Sequence, residues 1–374
     1  MKVIDSYCLF ICILLWLLKR LHMNGYNRRR FISDAGMAGM AMGLTTWSSP
    51  AVASTTIIDS GRIGIIGLDT SHSIAFTKAL NAANAADKYK GFRVVAAYPP
   101  GSADIESSTK RIPGYIEEVK KMGVEIVDSI AALLKKVDFI LLETNDGRPH
   151  LEQALEVMKA GKPLFIDKPV AGTLTDAIAL YSLSEKLKVP FFSSSSLRYM
   201  ESAQEAASGK VGKILGADCF SPATLEPTHP DLFWYGIHGV ETLYTVMGTG
   251  CQSLTRTQTE GTEVVVGVWE DGRIGTFRGT RTGKHEYGGT AYGEKGPITL
   301  GPYKGYDNLL DRIIAFFKTG NLPINPNETL EIYTFMEAAD ESKRNGGKAI
   351  QLKDVYDTHR KKANKIIQQL NLPS

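Results

Sequence analysis

The first residues with an evident chemical use follow a short apolar run. Gly61-Arg62-Ile63-Gly64-Ile65-Ile66-Gly67 reads as a buried strand and leads into Leu68-Asp69-Thr70-Ser71-His72-Ser73. A strand-to-helix turn of this kind presents backbone N–H groups to an anion. Glycines in it let the chain turn tightly and approach the diphosphate of a dinucleotide. Of the spaced glycines G-x-G-x-x-G only Gly67 is present. Asp69 takes the second position, where a carboxylate faces a diphosphate unfavourably unless it is turned away. Thr70 and Ser71 can cap the helix and offer hydroxyls to an anion. His72 reads as a helix-start residue lying where the phosphates of a cofactor would be. The acid expected on a ribose at the end of the second strand, about 20–30 residues on, is missing, since that stretch reads Ala97-Tyr98-Pro99-Pro100-Gly101-Ser102. Taken alone, the turn is equally that of any α/β protein.

The elements that would carry this turn alternate. Strands are expected at 61–67, 92–97, 124–127, 139–142 and 163–166, and helices at 73–86, 116–122, 130–136 and 149–159. Residues 99–114, with Pro, Gly and Ser, read as loop. Such βα alternation predicts a parallel sheet with right-handed crossovers. After about residue 212 the pattern changes to strands at 215–221, 264–269, 274–280 and 289–292. Asp271-Gly272 marks a hairpin between the middle two. Helices return at 309–317 and 329–343, and a last one at 354–370. The fold class is therefore α/β, a parallel-sheet domain followed by a domain with a mainly antiparallel sheet and helices on one face.

The chain has 374 residues, with 43 Lys+Arg against 40 Asp+Glu, 43% hydrophobic and 22% charged. This is globular composition, long enough for two domains. The small charge and the lack of a basic stripe exclude a nucleic-acid partner. Cys8, Cys12, Cys219 and Cys251 show neither a disulfide framework nor zinc spacing, and no metal site is expected. Cys219 and Cys251 are permitted a bridge but not obliged to form one. Residues 1–53 read as a leader with a second candidate start at Met23, and the 12-residue apolar run Tyr7–Leu18 before it reads either as upstream of the true start or as a short anchor. Asn27-Arg28-Arg29-Arg30-Phe31-Ile32-Ser33 resembles a twin-arginine signal. A weakly apolar run follows, and Ala51-Val52-Ala53 offers the small-x-small cleavage pattern. The leader holds six of the basic and two of the acidic residues, so the basic excess belongs to it. The twin-arginine route exports folded proteins, often with a cofactor inserted, so the expected location is periplasmic or extracytoplasmic.

Further motifs carry a family resemblance. Thr144-Asn145-Asp146-Gly147-Arg148-Pro149-His150 is followed by Ala160-Gly161-Lys162-Pro163-Leu164-Phe165-Ile166-Asp167-Lys168-Pro169. Gly236-Ile237-His238-Gly239-Val240-Glu241 then runs to Met247-Gly248. These resemble the T-P-N-x-x-H, A-G-K-x-x-x-x-E-K-P and G-x-H-x-x-D motifs of the Gfo/Idh/MocA oxidoreductases, over about 60–352. The resemblance implies a Rossmann-type NAD(P)-binding domain at 60–190 and an α/β substrate and oligomerisation domain with an open, mainly antiparallel sheet at 191–352. A C-terminal helical tail, 353–374, closes the chain. It implies a retained NAD or NADP, a carbohydrate or cyclic polyol as substrate, and a homo-oligomer. Lys168 matches the family's active-site lysine, able to polarise or protonate an oxygen at the reacting carbon. His238 matches its histidine, a natural acid or base. Trp234 stands where many members have Asp. Trp234 and Tyr235 could stack on a sugar, with Tyr235 a proton donor. Arg198 could fork onto a substrate or form a structural ion pair. Thr144, Asn145 and Asp167 fall beside the cofactor, Asp167 replacing the usual Glu.

The reaction implied is hydride transfer, possible also as net non-redox conversion through a transient keto-sugar. The lost glycines leave two alternatives: a cofactor-free binding or scaffold protein, and a cofactor-free lyase or hydrolase on the same fold.

Overall fold

The computed structural model of the protein describes residues 58–372. The leader reading, residues 1–53, lies outside them. The first half runs β1 (Gly61–Ile66), α1 (Ser71–Asn81), β2 (Phe92–Tyr98), α2 (Glu106–Lys121), β3 (Glu125–Ile126), α3 (Ile130–Leu134), β4 (Phe139–Leu142), α4 (His150–Lys159), β5 (Leu164–Ile166), α5 (Leu174–Leu187) and β6 (Phe191–Ser193). The strands pair parallel in the order β3-β2-β1-β4-β5-β6. β4 and β5 are apolar throughout because helices cover both faces of the sheet, and all their residues are buried. The strand order reverses between β1 and β4, so their carboxyl ends open the crevice in which such sheets take ligands.

Two expected boundaries move. Residues 106–114, read as loop, are the first half of α2, with Pro113 inside it. Pro113 is exposed, so the carbonyl it leaves unpaired stays in water. Glu106 at the start and Lys120 and Lys121 at the end favour the helix dipole. The helix expected at 73–86 stops at Asn81. There the side-chain amide donates to the Val94 and Met122 carbonyls and accepts the Val94 N–H, fastening α1 to β2.

The second half contains α6 (Glu201–Ala207), β7 (Ile214–Pro222), α7 (Asp231–Trp234), α8 (Ile237–Met247), β8 (Cys251–Gln258), β9 (Thr262–Trp269), β10 (Ile274–Thr280), β11 (Gly288–Gly293), β12 (Gly296–Leu300), α9 (Asp307–Thr319), α10 (Pro326–Arg344), β13 (Ile350–Gln351) and α11 (Leu352–Gln369). Its sheet is ordered β12-β11-β7-β10-β9-β8-β13. All pairs are antiparallel except β7 with β10, which is parallel. The Asp271-Gly272 turn joins β9 to β10, with Gly272 at φ +83. β8, reading Cys251-Gln-Ser-Leu-Thr-Arg-Thr-Gln258, is too polar to announce itself in sequence. It is nevertheless the partner of β9.

The two halves share their packing. α9 lays Leu309, Ile313, Phe316 and Phe317 on the outer face of the parallel sheet, where Phe317 stacks on Phe139 at 4.6 Å between centroids. Each such side chain stabilises the fold by about 1.5–3 kcal/mol when fully buried. The other core runs from Ile140 and Leu142 through Leu180 and Leu243 to Phe277 and Phe335, and α11 packs on α5. Cys219 and Cys251 are buried and unbridged. Among the described residues no helix is long and apolar enough to cross a membrane.

Candidate active site

The crevice at the ends of β1, β4 and β5 deepens into a cleft of about 600 Å³ closed on its far side by the second half. The strand ends position one wall. Gly67 leaves β1 at φ +89, and a Cβ there would lie 2.5 Å from the Thr144 amide, so only glycine lets the two loops approach. Asp69 is fully buried and turned away from the cleft. Its carboxylate accepts the N–H groups of Ser102 and Asn145, each at 3.0 Å, tying the loops after β1, β2 and β4 together. Gly101 makes room for it, since a Cβ there would meet Asp69 Oδ2 at 2.1 Å. The unfavourable carboxylate of the turn is thereby spent inside the protein as a strut.

Lys168, two residues past the end of β5, is buried and lines the cleft. Its Nζ stands 5.4 Å from the ring centre of Tyr235 and 5.9 Å from that of Trp234. Burial pushes the ammonium below the usual lysine range, although the negative charge of Asp167 works against that. His238, in the first turn of α8, faces the same space. Its Nδ1 lies 2.7 Å from Ser195 Oγ, which leaves Nε2 for the cleft. Burial, reinforced by the charge of Lys168, holds His238 well below the usual histidine range and therefore neutral. Tyr235 packs edge-on against His238 at 5.6 Å. A neutral imidazole and a destabilised ammonium in one cleft make a base beside a proton donor.

Thr70, Ser71, His72, Asn145 and Trp234 also line the cleft. Thr144 does not. Its hydroxyl donates to Gln153 Oε1, and its carbonyl holds His150 Nε2 at 2.8 Å, so it braces the loop. Arg198 corrects the substrate expectation. Its guanidinium is buried between Glu241 at 2.7 Å and Glu328 at 2.6 Å, outside the cleft, which makes it the structural ion pair. Asp167 lies beneath the cleft floor. Burial works against its charge, but His72 and Lys168 hold it below the usual carboxylate range.

Sequence reasoning passed over several lining residues. Tyr287, Tyr303 and Tyr306 form an aromatic wall with Tyr235, and Tyr287 meets His238 edge-on at 5.7 Å. Only the Tyr303-x-x-Tyr306 spacing before α9 hinted at them. Arg111, from α2, brings a second cation and donates to the Asp69 carbonyl at 3.3 Å. Glu143, at the end of β4, is fully buried, and burial together with Asp167 and Asp69 pushes its carboxyl well above the usual range. A groove of about 940 Å³ on the other side of Tyr303 contains neither Lys168 nor His238.

Residues 61–195 match the model of the Gfo/Idh/MocA family, described as an oxidoreductase family with an NAD-binding Rossmann fold. No curated protein matches the chain in sequence. Solved structures that resemble it include a probable dehydrogenase of Thermotoga maritima, 19% identical with a TM-score of 0.63. That match covers 79% of this chain and 99% of the other. Scyllo-inositol dehydrogenase of Lactobacillus casei, solved with NAD(H) and scyllo-inositol, is 15% identical over 78% of this chain and 99% of its own, with a TM-score of 0.63. Myo-inositol 2-dehydrogenase of Lactobacillus plantarum is 16% identical over the same shares, again at 0.63. At these identities the likeness establishes the fold. The first half thus has the Rossmann fold, and the expected fold class holds, with one parallel pair in the second sheet.

Whether the residues suit a dinucleotide is a separate matter. A diphosphate needs free amides and little negative charge at the start of α1. Here the Thr70 hydroxyl takes the His72 N–H at 3.5 Å, and Tyr306 Oη and Ser71 Oγ bond across the first turn at 3.2 Å. Asp69, Glu143 and Asp167 lie buried just behind. These residues do not fit a diphosphate laid on the turn.

Proposed function

We propose that this protein is an enzyme of the Gfo/Idh/MocA oxidoreductase type that acts on a carbohydrate or cyclic polyol. The single observation that carries the proposal is Lys168 and His238 facing one aromatic-walled cleft in opposite roles. Trp234, Tyr235 and the tyrosine wall stack on the C–H faces of a ring. His238 Nε2 takes a proton from the reacting carbon or its hydroxyl, and Ser195 holds the imidazole in place through Nδ1. The Lys168 ammonium steadies the oxygen on which negative charge grows.

Two readings share this step. The family supports hydride exchange with a retained NAD or NADP, through a transient keto-sugar where the net reaction is not redox. The carboxylates behind the turn favour the second, proton chemistry without a dinucleotide, as in elimination or hydrolysis at the same ring. Denaturing the purified protein and analysing the supernatant by mass spectrometry separates them. Stoichiometric NAD(P) would establish hydride exchange and overturn the second reading, and its absence would do the reverse. In either case Lys168→Ala should lower turnover by about 10²–10⁴-fold with the fold intact. Unchanged turnover would remove Lys168 from the chemistry.

Export by the twin-arginine route and assembly through the open face of the second sheet complete the proposal. That face exposes Phe220, Val268, Ile274 and Tyr292, which a second copy would cover.

A further inference from the structure

One cluster at the cleft floor has no part in the chemistry above. His72 stands in the first turn of α1, Glu143 directly after β4 and Asp167 directly after β5, so three neighbouring strand ends deliver them to one point. His72 Nδ1 lies 3.1 Å from Asp167 Oδ1 and 3.7 Å from Glu143 Oε2. One donor atom from each residue falls within 4.8 Å of the others. Both carboxylates are 0% exposed and His72 is 5% exposed.

The bonding of these atoms is unusual. His72 Nδ1, both oxygens of Glu143 and Asp167 Oδ2 have no hydrogen-bond partner, close as they stand. A buried polar atom left unpaired costs about 1–3 kcal/mol, and more when charged. Most buried polar atoms of a native protein are paired, and here four unpaired ones converge on one point. Donor atoms that each sit about 2.0–2.2 Å from a shared ion stand at most about 4.4 Å apart. The two measured separations from His72 satisfy that limit.

The geometry points to a divalent transition-metal ion held by His72, Glu143 and Asp167 at the floor of the cleft. One imidazole nitrogen and two carboxylates suit Mn²⁺, Fe²⁺ or Zn²⁺ better than Mg²⁺ or Ca²⁺, which prefer all-oxygen shells. The ion's charge matches the two carboxylates, where Lys168 alone cannot. His72 and Lys168 both line the cleft, so the coordination positions left over open toward a substrate hydroxyl or water.

The test reads binding and not turnover, so it stands or falls separately from the function proposed above. The full-length protein, freed of metal by a chelator, is titrated with Mn²⁺ followed by electron paramagnetic resonance, and with Co²⁺ followed by visible absorption. Wild type should take one ion per chain. Glu143→Gln, nearly isosteric, should bind at least about 100-fold more weakly. Cobalt should also produce a paramagnetically shifted imidazole resonance that His72→Gln removes. No saturable site in wild type, or equal affinity in wild type and Glu143→Gln, would overturn the proposal. Should Glu143→Gln not fold, the wild-type stoichiometry and the shifted imidazole signal decide by themselves.

Discussion

Two clusters of buried charge in this molecule are built on opposite plans. In the second half, Arg256 is fully buried and meets Glu263, Asp340 and Asp231, with Arg281 on Glu263 and Lys343 on Asp231. Every carboxylate of that group faces a cation. At the floor of the cleft, Glu143 and Asp167 face His72, and among the described residues no Lys or Arg makes an ion pair with Glu143. The first cluster repays its desolvation with its own partners, whereas the second leaves its electrostatic demand open. A matched cluster holds β8, β9 and α10 together, and an unmatched one marks the place where something from outside is expected.

The sharpest way to break the comparison is to unbalance the matched cluster. Arg256→Leu should destabilise the protein by about 3–5 kcal/mol in urea denaturation, because three carboxylates then lose a buried partner. A loss under 1 kcal/mol would mean that the group is not matched in the sense argued.

A smaller effect is expected at the cleft. His238→Asn should lower kcat/KM by about 100-fold while melting is little changed. Its pH dependence gives a second reading. Because burial depresses the folded pKa below 6.5, the imidazole stays a base as pH falls, and the acid limb of kcat/KM should lie below 6.5. Over the same window the unfolded chain binds the proton more readily, so His238 also contributes a loss of stability as pH falls below 6.5. An acid limb at or above 6.5 would remove His238 as the base.

The smallest effect sharpens the contrast. In metal-free protein Glu143→Gln should leave stability unchanged or raise it by about 1 kcal/mol, since it replaces an unpaired buried acid with a neutral group. If the melt instead shows a loss as large as that of Arg256→Leu, the two clusters are the same kind of structure.

Much of the fold could be read from the chain. The short apolar strands, the helices between them and the Asp271-Gly272 hairpin all follow from local pattern, because each buried strand needs an apolar run and each turn its own residues. What local pattern hid were elements stabilised by distant partners: the polar strand β8, paired with β9, and the Pro-containing half of α2. The site was legible where motifs named residues one at a time, as for Lys168 and His238. Arg198 shows the limit of that, since nothing near it in sequence announces Glu241 and Glu328 as its partners. The tyrosine wall belongs to no motif and is assembled from the β10–β11 and β12–α9 connections.

By itself, then, the sequence determined the order of the elements, the parallel character of the first sheet and the presence of a lysine and a histidine whose side chains are able to exchange protons. Only the tertiary structure decided what Asp69 does with its charge, and that His72, Glu143 and Asp167, far apart in the chain, share one point. The physical reason is that parallel strands deliver the residues after them to one edge of the sheet. Which of those side chains find partners there depends on loops that no local pattern records.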